Sequence, residues 1–310
     1  MQLPRKAKHF LIAAAKILIV AAAFYFIWTR LRDEKSLWEQ ANLEMVPAWG
    51  WAALLVLAFL NRFFEILKWQ NLVGSFKKIS VGEASKQVLG ALTVSIFTPN
   101  GIGEYGAKAL FYEKSRAKRI VFLNLICNGI QLVLTVIFGV FGLLYFNAAY
   151  GVISTQTVIW LFLIFTIATV TVFSIRNIHI GKYSVVTAIS KLREIPAKIH
   201  RKNTLLAVGR YLFFSHQYYI LFLVFGVEAP YLLLMAAVMS TYFLASALPT
   251  FQFLDFAVKG GVAVYFFGLM GVNEWIPVLV TAMMWLLNVV LPVAVGSYYV
   301  ITFKSQWKQS

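Results

Sequence analysis

Stretches of about twenty mostly apolar residues recur along the chain, and a segment of that length crosses a bilayer as a helix. By that rule helices are expected near 10–28, 49–67, 120–146, 157–175, 204–225 and 275–303. The first run follows Arg5, Lys6 and Lys8, ends in the aromatic FYFIW and lacks a small-residue cleavage site. An uncleaved anchor is therefore expected instead of a signal peptide. Composition agrees: 60% of the 310 residues are hydrophobic and 13% charged, against about 45–50% and about 25% in soluble domains. The expected fold class is an all-α integral membrane protein, a polytopic helix bundle forming one membrane domain over 1–310.

Two further apolar stretches, 87–113 and 231–267, are broken in the middle. In the first, TPNGIGEYGAKA places Pro99, Gly101 and Gly103 at a turn, followed by Glu104 and Lys108 four positions apart. Each limb is about ten residues, too short to cross the hydrocarbon at about 1.5 Å per residue. A re-entrant hairpin with its tip at Pro99 fits better. The second stretch has limbs near 231–248 and 254–267 around Pro249, and either a hairpin or a full crossing is compatible with its length.

Cytoplasmic loops collect lysine and arginine. The segment 77–119 holds eight of them and 176–203 holds seven, while 147–156, 226–230 and 268–275 hold none. This pattern puts both termini in the cytoplasm of a multi-pass protein of the plasma (inner) membrane. The net charge of +16 then reads as inner loops gripping anionic lipid, and no nucleic-acid module is expected. Residues 182–195 read as a short amphipathic helix within the basic linker 176–203, with Val185, Val186, Ile189 and Leu192 on one face and Lys182, Lys191 and Arg193 on the other. Such a helix lies in the interface; a solvated linker is the alternative.

The topology exposes two inverted repeats, about 49–146 and about 204–303, each containing a re-entrant (broken) hairpin. Arginine to proline spans 37 positions from Arg62 to Pro99 and 39 from Arg210 to Pro249. The acid-to-lysine spacing is four in both Glu104/Lys108 and Asp255/Lys259. Inverted repeats with broken helices near the midplane recur in transporters.

The runs NRFFEILKWQNLVG (61–74) and FTPNGIGEYGAKALFYEK (97–114) resemble the membrane region of the lysylphosphatidylglycerol synthase/flippase family. The likeness covers about residues 10–303 and its specific motif lies within 61–114. It carries over to Arg62, Trp69, Pro99, Gly103 and Glu104, with Lys108 where the family more often has arginine. The second hairpin, LPTFQFLDFAVKGG, departs from the family's glycine-rich pattern. The resemblance implies a flippase-like, lipid-translocating module. The soluble aminoacyl-transferring domain that some members append has no counterpart in these residues, so lipid aminoacylation is not implied.

The charges need explaining, because each costs about 2.5–3.5 kcal/mol at bilayer depth. A helix dipole and an i,i+4 partner together return at most about 1.5 kcal/mol. A hydrated cleft is one solution and a structural ion pair the other. The expected substrate-binding residues are Arg62, Glu104, Lys108, Arg210, Asp255 and Lys259. Arg62 can also snorkel to the headgroups or pair with Glu65. Asn124, Asn128, Gln131 and Thr135 form one helix face, and Asn288, with Thr281, Trp285 and Pro292, a second; each is open to cleft lining or helix–helix bonding. His216 and Gln217 read as satisfied bundle residues. The four histidines lack paired spacing and the lone Cys127 allows no disulfide framework, so no metal, cofactor or catalytic residue is expected.

The expected function is transport of an anionic or zwitterionic lipid headgroup between leaflets, its phosphate on Lys108, Lys259 and the half-helix N-termini. A membrane-embedded transferase using Glu104 or Asp255 as general base, and a non-catalytic partner of a lipid-modifying enzyme, are the alternatives. Self-association into a homo-oligomer is also open.

Overall fold

The computed structural model describes residue 25 and residues 47–154, 156–157, 185–248, 251, 254–305 and 307. Apart from residues 25 and 157, the expected helices 10–28 and 157–175 lie outside the described residues, as do both termini and the tip residue Pro249.

The described residues form helices and no strand. In chain order they are α1 (Ala48–Val73), α2 (Val81–Ser95), α3 (Gly103–Ala109), α4 (Ala117–Tyr150), α5 (Val185–Arg193), α6 (Ala197–Val224), α7 (Tyr231–Ala247), α8 (Asp255–Leu269) and α9 (Trp275–Thr302). Local signals set the ends. Pro47, Pro196 and Pro230 precede α1, α6 and α7, where a missing N–H costs nothing. Ser80 and Glu83 exchange side-chain and backbone hydrogen bonds in a capping box that starts α2. Gly151, at φ 59°, ends α4 in the left-handed conformation.

Among the described residues, three helices are long and apolar enough to cross a membrane: α1, α9, and α4 together with the short 3-10 turn that leads into it. This is the signature of a membrane protein. The expected span 204–225 lies within α6, which has 28 residues but falls short of these three in apolarity, because Arg210, His216 and Gln217 interrupt it. The expected span 49–67 continues to Val73, so Arg62 stands mid-helix and not at a cytoplasmic end. In the first interrupted stretch α2 and α3, with 15 and 7 residues, span about 22 Å and about 10 Å. Neither reaches across an apolar layer of about 30 Å.

Packing pairs the front of the chain with its back. Helix α1 lies along α6, α2 along the last turns of α9, and α7 along α4. Each arm before a break thus packs on the long helix of the other half. These contacts are close because small residues stand at the crossings. A Cβ at Gly296 would strike the Leu89 carbonyl of α2, and one at Gly142 would lie 2.7 Å from Met239 Cβ and 2.9 Å from the Ala236 oxygen of α7. The two breaks meet as well: Pro99 and Phe251 form an isolated antiparallel bridge. Beside it Leu92, Ile96, Phe256, Trp285, Val290 and Val293 share one buried cluster.

On α5 the side chains of Ile189 and Leu192 are exposed beside Lys191 and Arg193. That agrees with an apolar stripe not covered by the bundle.

Candidate functional site

At the first break the chain turns through Asn100 (φ 48°) and Gly101 (φ 67°), both left-handed. Asparagine and glycine are the residues that enter that region at least cost. Gly103 has a different role from the expected one. It needs no positive φ; it lets α3 begin against Thr98, whose side chain a Cβ would meet at 2.8 Å. The Thr98 hydroxyl accepts from the Gly103 N–H at 2.9 Å.

From this turn α3 carries Glu104 and Lys108, and the pair is sealed. The Lys108 ammonium is fully buried and ion-paired to Glu104. It also donates to Asn124 Oδ1 at 2.7 Å and sits 4.3 Å from the centre of the Trp69 ring. Trp69 is fixed by its Nε1–H donating to Gln87 Oε1 at 2.7 Å, an oxygen that also accepts from the Tyr112 hydroxyl at 2.8 Å. Burial pushes the Tyr112 phenol up to about 12.

Beside the sealed pair runs a network between α1, α4, α6 and α9. On α1, Asn61, Glu65 and Lys68 are buried at helical spacing, which puts them on one face. Glu65 binds Arg210 at 2.9 Å and Lys68 at 3.2 Å, not Arg62 as one sequence reading allowed. Lys68 also donates to Gln131 Oε1 at 3.4 Å. Asn61 accepts from Arg210 Nε at 3.1 Å and donates to Asn288 Oδ1 at 2.6 Å, while Asn288 donates to Gln217 Oε1 at 2.9 Å.

Arg62 does not snorkel. Its guanidinium donates to the backbone oxygen of Asn288 at 2.5 Å, and the sequence explains why that oxygen is available. The donor an α-helix would supply is the N–H four residues on. Position 292 is proline, which has none. Around it α9 widens into a π turn over Leu286–Val290, a feature that often accompanies functional sites.

A cavity of about 290 Å³ opens between the halves, lined by Arg62, Arg210, Asp255, Lys259, Gln131 and Asn288 among others. Asp255 and Lys259, at the start of α8, pair at 2.5 Å; both are partly exposed, and Lys259 lies 4.9 Å from the Tyr242 ring centre. Four side-chain groups of the cavity wall have a polar atom with no hydrogen-bond partner: Arg62 Nε, Gln131 Nε2, Tyr218 OH and Trp285 Nε1. Buried donors without partners are costly.

Among the sequence-predicted residues, the cavity thus gathers Arg62, Arg210, Asp255, Lys259, Gln131, Thr135, Thr281, Trp285 and Asn288. Glu104, Lys108, Asn124 and Asn128 are not part of its wall. Lys108 has its donors used inside the protein, and its side chain has no exposed surface. Asn124 serves Lys108, while Asn128 is half-buried on the same helix. Pro99 is exposed and Gly101 buried at the first tip. His216 is satisfied by Leu212 O and the Tyr231 hydroxyl, and Gln217 by Asn288 and Leu54 O, as expected. The sequence reading missed Asn61 and Lys68. Their spacing with Glu65 on one face of α1 was the available signal. Among the described residues no three His, Cys, Asp or Glu side chains gather as metal ligands.

Compared with known proteins, no family model matches the chain, and no curated protein or solved structure matches it either.

Proposed function

We propose that the protein is a flippase-like lipid transporter, moving a lipid headgroup between leaflets through the cavity while the acyl tails stay in the bilayer. The observation that carries this reading is a polar cavity inside a membrane helix bundle, lined by Arg62, Arg210, Lys259 and Asp255 and by donors without partners. A headgroup phosphate supplies the acceptors those donors lack. Two inverted repeats with re-entrant hairpins are the architecture we assign to it. The reciprocal packing of α2 on α9 and of α7 on α4, and the meeting of the breaks at Pro99 and Phe251, support that assignment. The resemblance of 61–114 to the lysylphosphatidylglycerol synthase/flippase family points the same way. Rocking of one repeat against the other then opens the cavity to each leaflet in turn.

The test is leaflet exchange of tail-labelled lipids in liposomes containing the purified protein. Exchange faster than in protein-free liposomes, slowed by Arg210→Gln, is expected; wild-type rates equal to the protein-free control end the proposal. Topology is tested separately with single cysteines in place of the exposed Lys86 and Glu228 on a Cys127→Ser background. An impermeant reagent is expected to reach the two from opposite sides of the membrane. Labelling of both from one side rules out the inverted arrangement.

A further inference from the structure

The charges around the cavity do not balance. Among the described residues, Arg62, Lys68, Lys108, Arg210 and Lys259 face Glu65, Glu104 and Asp255, five cations against three carboxylates. Glu104 and Asp255 each serve one lysine, while Glu65 is shared by Lys68 and Arg210. Arg62 has no carboxylate partner among the described residues. Among the described residues, the wall carries this surplus: Arg62, and Arg210, which shares Glu65 with Lys68, stand there beside the Asp255/Lys259 pair. In water such a surplus is screened. Inside a membrane bundle it is expensive unless an anion fills the space.

The neutral groups of the wall lean the same way. Trp285 and Tyr218 are at least nine-tenths buried, and Trp285 Nε1 is a donor that never accepts. Gln131 has its oxygen engaged by Lys68 and its NH₂ free of a partner. Arg62 keeps Nε–H unused. The wall therefore offers unspent donors and two unspent positive charges.

We infer that the cavity is a receptor for a dianionic phosphomonoester group, in preference to the monoanionic phosphodiester of an ordinary phospholipid. The inference deepens the transport reading and rests on it for the source of the ligand, a lipid headgroup. A diester cancels one of the two charges and has two ester oxygens, which are poor acceptors. A monoester cancels both and presents three charged oxygens to the guanidinium of Arg62, the free terminal nitrogen of Arg210 and the indole N–H of Trp285. Free inorganic phosphate shares this chemistry, so the test must separate it from a lipid.

Binding is measured by calorimetry on the full chain in phosphatidylcholine nanodiscs with three probes: short-chain phosphatidate, short-chain phosphatidylglycerol and inorganic phosphate. At about pH 8 phosphatidate is expected to bind about tenfold or more tightly than phosphatidylglycerol. Its affinity is expected to fall by about tenfold towards pH 5, because the second ionisation of a phosphomonoester lies near pH 6; that of phosphatidylglycerol stays level. Arg62→Gln abolishes the preference. Trp285→Phe, which deletes the indole N–H and keeps an aromatic side chain, weakens phosphatidate a few-fold and guards against a folding defect in the arginine variant. Phosphatidate tighter than inorganic phosphate supports a lipid headgroup as the ligand, whereas equal affinities overturn the lipid source and leave a free anion site. Equal or tighter binding of phosphatidylglycerol, or a preference that survives both substitutions, overturns the dianion. Leaflet exchange of diester lipids without phosphatidate binding sinks this inference and leaves transport standing. Phosphatidate binding without exchange of any lipid sinks transport and leaves the dianion site.

Discussion

Glu104/Lys108 and Asp255/Lys259 share one spacing and a place in the first turns of a helix after a break, yet their surroundings are opposite. Lys108 is enclosed by Glu104, Asn124 and the Trp69 ring. Lys259 has Tyr242 on one side and the cavity on the other. The first pair thus holds α3 to α4 and α1, and the second lines the cavity. An i,i+4 ion pair is a local motif whose role is decided by what covers it, and the cover comes from distant parts of the chain.

The largest expected effect tests the sealed half of this comparison. Glu104→Ala leaves the buried Lys108 without its carboxylate and is expected to cost about 3–5 kcal/mol of stability, read by thermal unfolding in detergent. The double variant Glu104→Gln/Lys108→Met should recover much of that loss. A single variant as stable as wild type makes the two pairs alike and removes the contrast.

The cover over Lys108 is the next target. Gln87→Leu strands the Trp69 and Tyr112 donors, at a cost of about 1–3 kcal/mol for each buried group left unpaired. Acidity gives an independent handle on the same contact. Because burial raises the Tyr112 phenol to about 12 from an ordinary value near 10, the folded state holds its proton longer than the unfolded chain does. This term costs nothing below about pH 10, and stability is expected to fall as pH rises from about 10 to about 12. Tyr112→Phe should flatten that part of the profile of melting temperature against pH.

Pro292→Ala tests what joins the halves at the cavity. It supplies an N–H for the Asn288 carbonyl, which then competes with Arg62, and a change of about 1 kcal/mol in either direction is expected. Leaflet exchange should slow. Smallest in stability is Lys259→Gln, at less than about 1 kcal/mol for a partly exposed pair, while its effect on leaflet exchange should exceed that of Glu104→Gln. The reverse order would assign the working pair to the other half.

The sequence carried the helices near 49–67, 120–146, 204–225 and 275–303 and both breaks, because apolar length and a Pro-Asn-Gly turn are local properties. It also carried Arg62 and Arg210, since an arginine inside an apolar run stands out. It did not carry the fate of Lys108, which depends on Asn124 and Trp69 folding over it, nor the sharing of Glu65 between Lys68 and Arg210. Arg210 lies well over a hundred positions from Glu65, and no spacing rule spans that distance. The freed carbonyl of Asn288 was readable in principle, four residues ahead of Pro292, but its acceptor role appears only when α1 and α9 are seen side by side.

That carbonyl has a mechanical consequence. Arg62 is borrowed by the backbone of the last helix, so an anion arriving in the cavity competes with α9 for the same guanidinium. On the transport reading proposed above, filling the space loosens a clasp between the first and last described long helices, and emptying it lets the clasp shut. On that reading cargo and conformation are exchanged at a single side chain.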